Sequence, residues 1–285
     1  MDVATPFVFQ VDSAIVGEVY RKRANYKIVI DDSVRDKSTC AIYFSSNDIY
    51  FPNKEEVFQK RIVEKDAFEW YGTRINGAYK HIFVRDVFKQ WYLKGINQEL
   101  NSIEKVAAFL KNETKECDVV TLGSSSGGFA AVLFGSLLGA KKVLSFNGQY
   151  EVKSLLKTSK ETTDPILFRN KETVLVSYYD IKSFINSEVD IFYFYSNASN
   201  WDVTQWEHIK EVPNIHTIEF KTNHHGIPFV KEALSKVINL DKNQLKTLVD
   251  RKHHPVLFSV HMIGLRKVLI GIYAQLRNKY RRQSN

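Results

Sequence analysis

Between residues 118 and 135 the chain runs from Asp118-Val119-Val120-Thr121-Leu122, through Gly123-Ser124-Ser125-Ser126-Gly127, into Gly128-Phe129-Ala130-Ala131-Val132-Leu133-Phe134-Gly135. The first segment reads as a buried strand and the last as a helix. A G-x-S-x-G run at such a junction is a nucleophile elbow. Its glycines matter because neighbouring Cβ atoms would collide around the strained serine turn. The turn lifts the Ser125 hydroxyl above a sheet edge. It also leaves the Ser126 backbone N–H at a helix N-terminus, where it can stabilise an oxyanion.

At 285 residues the chain can hold one large α/β domain or two small ones. Two cysteines, Cys40 and Cys117, do not make a disulfide framework and read as buried free thiols of a reducing compartment. Residues 1–6 show no basic stretch followed by an apolar core, so no secretory signal is expected. No uninterrupted apolar run is long enough to span a bilayer. These features point to a cytoplasmic protein.

The net charge is +8. Residues 251–285 carry Arg251, Lys252, Arg266, Lys267, Arg277, Lys279, Arg281 and Arg282 and no Asp or Glu, so residues 1–250 sum to zero. The basicity belongs to a tail, which argues against a nucleic-acid-binding body.

Expected strands are an N-terminal edge hairpin (Phe7–Val11 with Ile15–Tyr20), then Tyr26–Ile30, Thr39–Phe44, His81–Arg85, Asp118–Leu122, Lys142–Phe146, Asp190–Tyr195 and Ile215–Phe220. Several are continuous apolar or aromatic runs, as in a parallel sheet covered on both faces. Helical patterns fall near 55–65, 98–112, 127–138, 202–211 and 227–239. The alternation from residue 39 onward predicts βα units.

This order resembles the α/β-hydrolase fold over about residues 7–240, with the elbow after the fifth strand in that family's count. The resemblance implies a mostly parallel sheet with helices on both faces. It also implies a small cap from the insertion at 151–188, with part of the same wall from 66–80 (Trp70, Tyr71, Arg74, Tyr79). Residues 241–285 are expected to extend past a domain of residues 1–240.

The family places an acid and then a histidine after the serine. Asp202 is the first carboxylate after Asp190–Tyr195 and is the acid candidate; it can also be read as a helix N-cap, and Glu207 is the alternative acid. The loop after Ile215–Phe220 carries His224 and His225. Adjacent residues point apart, so one of them faces Ser125, and His225 is preferred. The pair could instead be surface histidines or metal ligands, but no Cys or carboxylate stands nearby at usable spacing, so no metal is expected. A second oxyanion donor would come from the loop after Thr39–Phe44. No HGGG run is present there, and the Ser46 or Asn47 N–H is the candidate.

Arg85-Asp86-Val87-Phe88-Lys89-Gln90-Trp91-Tyr92 follows another strand to the same sheet edge. Arg85 and Asp86 could bind a polar substrate, and Trp91 or Tyr92 could stack on a sugar face; an internal ion pair among core aromatics is the alternative. This block, Leu122–Gly128 with Phe129-Ala130-Ala131, residues 133–140, and His225-Gly226-Ile227-Pro228 resemble the α/β-hydrolase-type proteins of bacterial surface-polysaccharide loci. The resemblance implies a polysaccharide O-acetyltransferase: acetyl-CoA as donor, a Ser125 acyl-enzyme, and a capsular or related glycan as acceptor, with His224 beside it. A carboxylesterase or deacetylase, and a non-catalytic subunit of a glycan-assembly or export complex, are the rival readings.

In the tail, Phe258, Met262, Leu265, Leu269, Ile272 and Leu276 repeat at helical spacing, with Arg266 and Arg277 on another face. A basic amphipathic helix of this kind can lie on the anionic inner face of a membrane. A helix docked on the domain, a dimer helix, or a contact to capsule-assembly proteins through 251–285 are the other readings.

Overall fold

Along Thr39–Phe44, Cys40, Ile42 and Phe44 enter one apolar cluster while Ala41 and Tyr43 enter another, so both faces of this strand are buried. The same division runs across the sheet. The computed structural model, which describes residues 5–283, contains eight strands. They are β1 (Tyr26–Ile30), β2 (Thr39–Phe44), β3 (Lys80–Val84), β4 (Asp118–Ser124), β5 (Lys142–Phe146), β6 (Asp190–Ser196), β7 (Ile215–Phe220) and β8 (Lys252–His253). Their order is β1-β3-β2-β4-β5-β6-β7-β8, with β1 antiparallel to β3 and every other pairing parallel. This is the α/β-hydrolase arrangement.

The helices Ile103–Glu113 and Ser126–Leu138 bury Ile103, Val106, Leu110 and Phe129–Phe134 on one face. Leu234–Ile238, Leu245, Phe258 and the segment with Phe68, Trp70 and Ile75 cover the other. From β2 the chain steps outward to β3, then returns to the other side of β2 as β4. The order therefore reverses between β2 and β4, and the crevice beyond their C-terminal ends is where an open α/β sheet binds ligands. The elbow follows β4 and the Ser45–Asp48 loop follows β2.

Three expectations are corrected. The N-terminal hairpin is absent: Phe9–Asp12 and Ala14–Lys22 are helices. The apolar pairs 15–16 and 19–20 stand four residues apart, which is a helical face. Val16, Val19 and Tyr20 bury there against Ile49, Tyr50, Phe58, Ile62 and Val87. The 151–188 insertion forms short helical turns that bury Val152, Ile166, Leu167, Tyr179 and Ile181 on the helix 126–138 side of the sheet. None of its residues lines the cavity over Ser125, so it is not a cap.

The tail divides. Residues 241–263 belong to the packed unit: β8 pairs with β7, and Leu245 and Phe258 are core residues. The apolar stripe does not lie on one helix. Pro255–Ile263 ends at Gly264, whose φ of 82° breaks the path, and Leu265–Gln283 begins anew. Phe258 and Met262 turn into the core. The side chain of Leu276 lies outside those described. Among the described residues, no helix is long and apolar enough to cross a membrane.

Candidate active site

The elbow is built by close approach. A Cβ on Gly123 would lie 2.1 Å from the Gly127 carbonyl oxygen, and a Cβ on Gly127 would lie 2.3 Å from that of Phe44. Only glycine lets the first turn of helix 126–138 sit against the ends of β4 and β2. Ser125 takes φ 52° and ψ −124°, a conformation non-glycine residues rarely adopt. Its hydroxyl consequently projects from the sheet edge.

Ser125 Oγ lies 2.8 Å from His225 Nε2, and His225 Nδ1 lies 2.8 Å from Asp202 Oδ1. With the imidazole proton on Nδ1, that N–H donates to Asp202 and the Ser125 hydroxyl donates to Nε2. Asp202 is fully buried. It sits in the first turn of helix Asn200–Ile209, and the cap is Ser199, whose hydroxyl accepts the Asp202 N–H. The N-cap reading of Asp202 is thereby corrected. Its Oδ2 has no hydrogen-bond partner among the described residues. Glu207 is exposed further along the same helix, and it is Asp202 that meets His225.

The His225 loop is held from below by Asn147, itself at φ 44° after β5. Its side-chain amide donates to Ser196 Oγ (2.9 Å), His224 O (3.2 Å) and Gly226 O (3.0 Å), and its carbonyl accepts the Ser196 N–H. Ser196 Oγ also donates to His224 O at 2.6 Å. The backbone of His224 is thus an anchor, and the residue is also part of the cavity lining.

Over Ser125 lies a cavity of about 790 Å³. Ser46, Asn47, Asp48, Glu69, Trp70, Thr73, His224, Phe229 and Lys231 line it with Ser125 and His225. Part of the 66–80 segment thus forms the wall. Glu69 is the unforeseen group here. Its carboxylate accepts the Ser46 N–H and, at 3.1 Å, the Ser46 hydroxyl. The residue as a whole is exposed, but its carboxylate is turned onto Ser46; desolvation there raises its pKa, the two Ser46 bonds and Lys231 oppose that, and Asp48 adds to it.

The expected oxyanion donors are therefore not equivalent. Ser46 already gives its amide to Glu69, which corrects its expected role as a free donor. Asn47 accepts a 2.9 Å hydrogen bond from the Ser126 hydroxyl through Oδ1, which ties the β2 loop to the elbow.

The block after β3 is corrected as a substrate surface. Arg85 is 1% exposed; it pairs with Asp66 at 2.9 Å, donates to Asn25 and Ala67, and lies over the Phe68 ring. Asp86 accepts the backbone N–H groups of Phe88, Gln90 and Tyr92 and so folds its own loop. Tyr92 is buried and donates to Ser45 O at 2.8 Å, bracing the β2 loop. Trp91 is buried and donates at 3.0 Å to Gln149 Oε1. Gln149 Nε2 in turn stands 3.4 Å from both Ser125 Oγ and His225 Nε2. Trp91 thus touches the site through a relay and cannot stack on a sugar.

No protein-family model matches this sequence, and no curated protein matches it. Solved structures do match in fold. The capsule O-acetyltransferase of Neisseria meningitidis serogroup A is 15% identical, over 69% of this chain and 83% of that one, with a TM-score of 0.47. Est1E of Butyrivibrio proteoclasticus, solved with ferulic acid, is 10% identical over 75% and 92%, also at 0.47. Acetyl xylan esterase 1 of a Thermoanaerobacterium species is 13% identical over 78% of each chain, at 0.43.

Proposed function

We propose that this protein is a serine acyltransferase that O-acetylates a capsular or related surface polysaccharide from acetyl-CoA. One observation carries the chemistry: the continuous contact from the Ser125 hydroxyl through His225 to buried Asp202, at 2.8 Å for each step. The segments that resemble those of polysaccharide-locus proteins, and the cavity above the serine, support transfer to a bulky acceptor.

In this reading His225 Nε2 takes the Ser125 proton as Oγ attacks the thioester carbonyl carbon. Asp202 holds the Nδ1–H tautomer and stabilises the imidazolium. The Ser126 N–H, at the start of its helix, faces the developing oxyanion. The tetrahedral intermediate collapses, the C–S bond breaks, and His225 returns the proton to the departing thiolate. An acceptor hydroxyl then gives its proton to His225 and attacks the acetyl-serine. The new ester leaves, and Ser125 regains its proton. Water in place of the sugar hydroxyl makes the same site an esterase.

Incubation with acetyl-CoA alone, read by intact mass, tests the donor and nucleophile together. The expected result is an acetyl adduct on the wild type and none on Ser125→Ala. Fluorophosphonate labelling of Ser125 without an acetyl adduct would move the protein to the esterase reading. Neither mark on Ser125 would overturn nucleophilic catalysis altogether.

A further inference from the structure

Five large apolar side chains of the C-terminal helices face outward. Leu257, Leu265, Leu269, Ile270 and Tyr273 are each between 57% and 69% exposed. The opposite side of helix Leu265–Gln283 is committed to the body: Val268 is fully buried, and Gly271 packs so closely that a Cβ there would lie 2.2 Å from Glu232 Oε2. The helix is therefore held in place with its apolar side turned out. Isolated exposed leucines are ordinary, but four large apolar side chains on one anchored helix, Leu265, Leu269, Ile270 and Tyr273, with Leu257 on the helix before it, mark an interaction surface.

Arg266, Lys267 and Arg277 are exposed along the same helix, and residues 251–285 hold eight basic residues and no acid. We propose that this face docks the protein on an anionic phospholipid bilayer. The leucines and Tyr273 would enter the acyl boundary, while the arginine stems lie along it and their guanidinium groups meet the headgroup phosphates. Charge complementarity selects this occupant. A second copy would bring like-charged helices together, and a nucleic-acid backbone offers nothing to five apolar side chains.

One chain segment lies between this surface and the cavity. The segment 227–234 gives Ile227, Phe229, Lys231 and Leu234 to the cavity wall, and its Glu232 lies beneath Gly271 of the outer helix. The docking itself does not depend on the proposed acyl chemistry.

The test is flotation of the full chain with phosphatidylcholine vesicles, with and without phosphatidylglycerol. Truncation after Asp250 is unsuitable, because it would remove β8 and core Phe258. Two surface variants replace it: Leu265→Ser/Leu269→Ser/Tyr273→Ser, and Arg266→Gln/Lys267→Gln/Arg277→Gln. The expected result is flotation only on anionic vesicles, loss in the first variant, and partitioning weakened on the order of a hundredfold in the second. Both variants should keep the wild-type thermal transition and fluorophosphonate reactivity. Absence of flotation, or flotation indifferent to phosphatidylglycerol or to the substitutions, would overturn the proposal. So would self-association that the leucine variant abolishes without any vesicle binding, or duplex DNA binding that survives it.

Discussion

Trp201 stacks on His225, with ring centroids 5.1 Å apart and planes inclined by 21°. The indole precedes Asp202 in sequence, so one helical turn supplies both the carboxylate on Nδ1 and the aromatic wall against the imidazole. Trp201 is 38% exposed, and its packing limits how the ring can swing away from Ser125. We expect Trp201→Ala to lower kcat/KM for a small ester about tenfold, and Trp201→Phe to retain most of it. Equal losses in both variants would show that the stack does not position the imidazole.

Asp202→Asn replaces the group that accepts the Nδ1–H and favours the other tautomer. Loss of activity by about 10⁴-fold is expected, the magnitude known for serine proteases. Stability should hold or rise, because the buried charge is removed while the amide keeps the same shape. Steady-state kinetics with a denaturant melt measure both.

Glu69 and Asp48 put two carboxylates beside Lys231 in the cavity over Ser125. An acyl chain that itself bears a carboxylate meets like charge there. Glu69→Gln should raise kcat/KM for a succinyl ester about tenfold relative to an acetyl ester. An unchanged ratio would mean that the Glu69 charge does not reach the acyl group.

Gly127→Ala should destabilise the fold by about 2–4 kcal/mol, since its Cβ would meet the Phe44 carbonyl at 2.3 Å and backbone must move. Ser126→Ala, next to it, loses only the hydroxyl bond to Asn47 and should cost about 1 kcal/mol. Urea titration of the two variants gives the comparison.

Lys89 is buried, donating to Tyr50 O at 2.9 Å and to Asn53 Oδ1 at 2.6 Å, and burial lowers its pKa to about 8. Below that value the amine is charged both folded and unfolded, and its desolvation opposes folding. Between pH 8 and the ordinary lysine range the unfolded chain binds the extra proton, so stability rises with pH. Relative to Lys89→Met, the wild type should gain about 3 kcal/mol across that window. Parallel curves for the two proteins would refute the assignment.

The parts of the site legible in sequence are those that local chemistry and chain order specify. Gly123 to Gly127 encode a turn that only small residues can make. Asp202 and His225 follow the last two long strands, and the structure brings them to Ser125. Glu69, Gln149 and Asn147 gave no signal, because each reaches the site across the fold; Trp201, next to Asp202, gave none because only the packed helix turns its indole onto the imidazole. Glu69 comes from an irregular segment, and its partner Ser46 is 23 residues away. Gln149 meets His225 across 76 residues. The Arg85–Tyr92 block misleads for the same reason: its polar and aromatic side chains look like ligands until the structure shows Asp66, Ser45 and Gln149 already holding them.

What the sequence determined by itself was the strand ladder from Tyr26 to Phe220, the elbow and the concentration of positive charge beyond residue 250. Apolar runs, glycine spacing and charge are properties of neighbours along the chain. Only the tertiary structure decided that residues 9–22 are helices rather than a hairpin, that 151–188 packs against the sheet instead of covering the cavity, and that Gly264 divides the tail. Each of these depends on which buried surface a segment meets. That choice is made by packing between distant parts of the chain, where the free energy of apolar burial outweighs local preference.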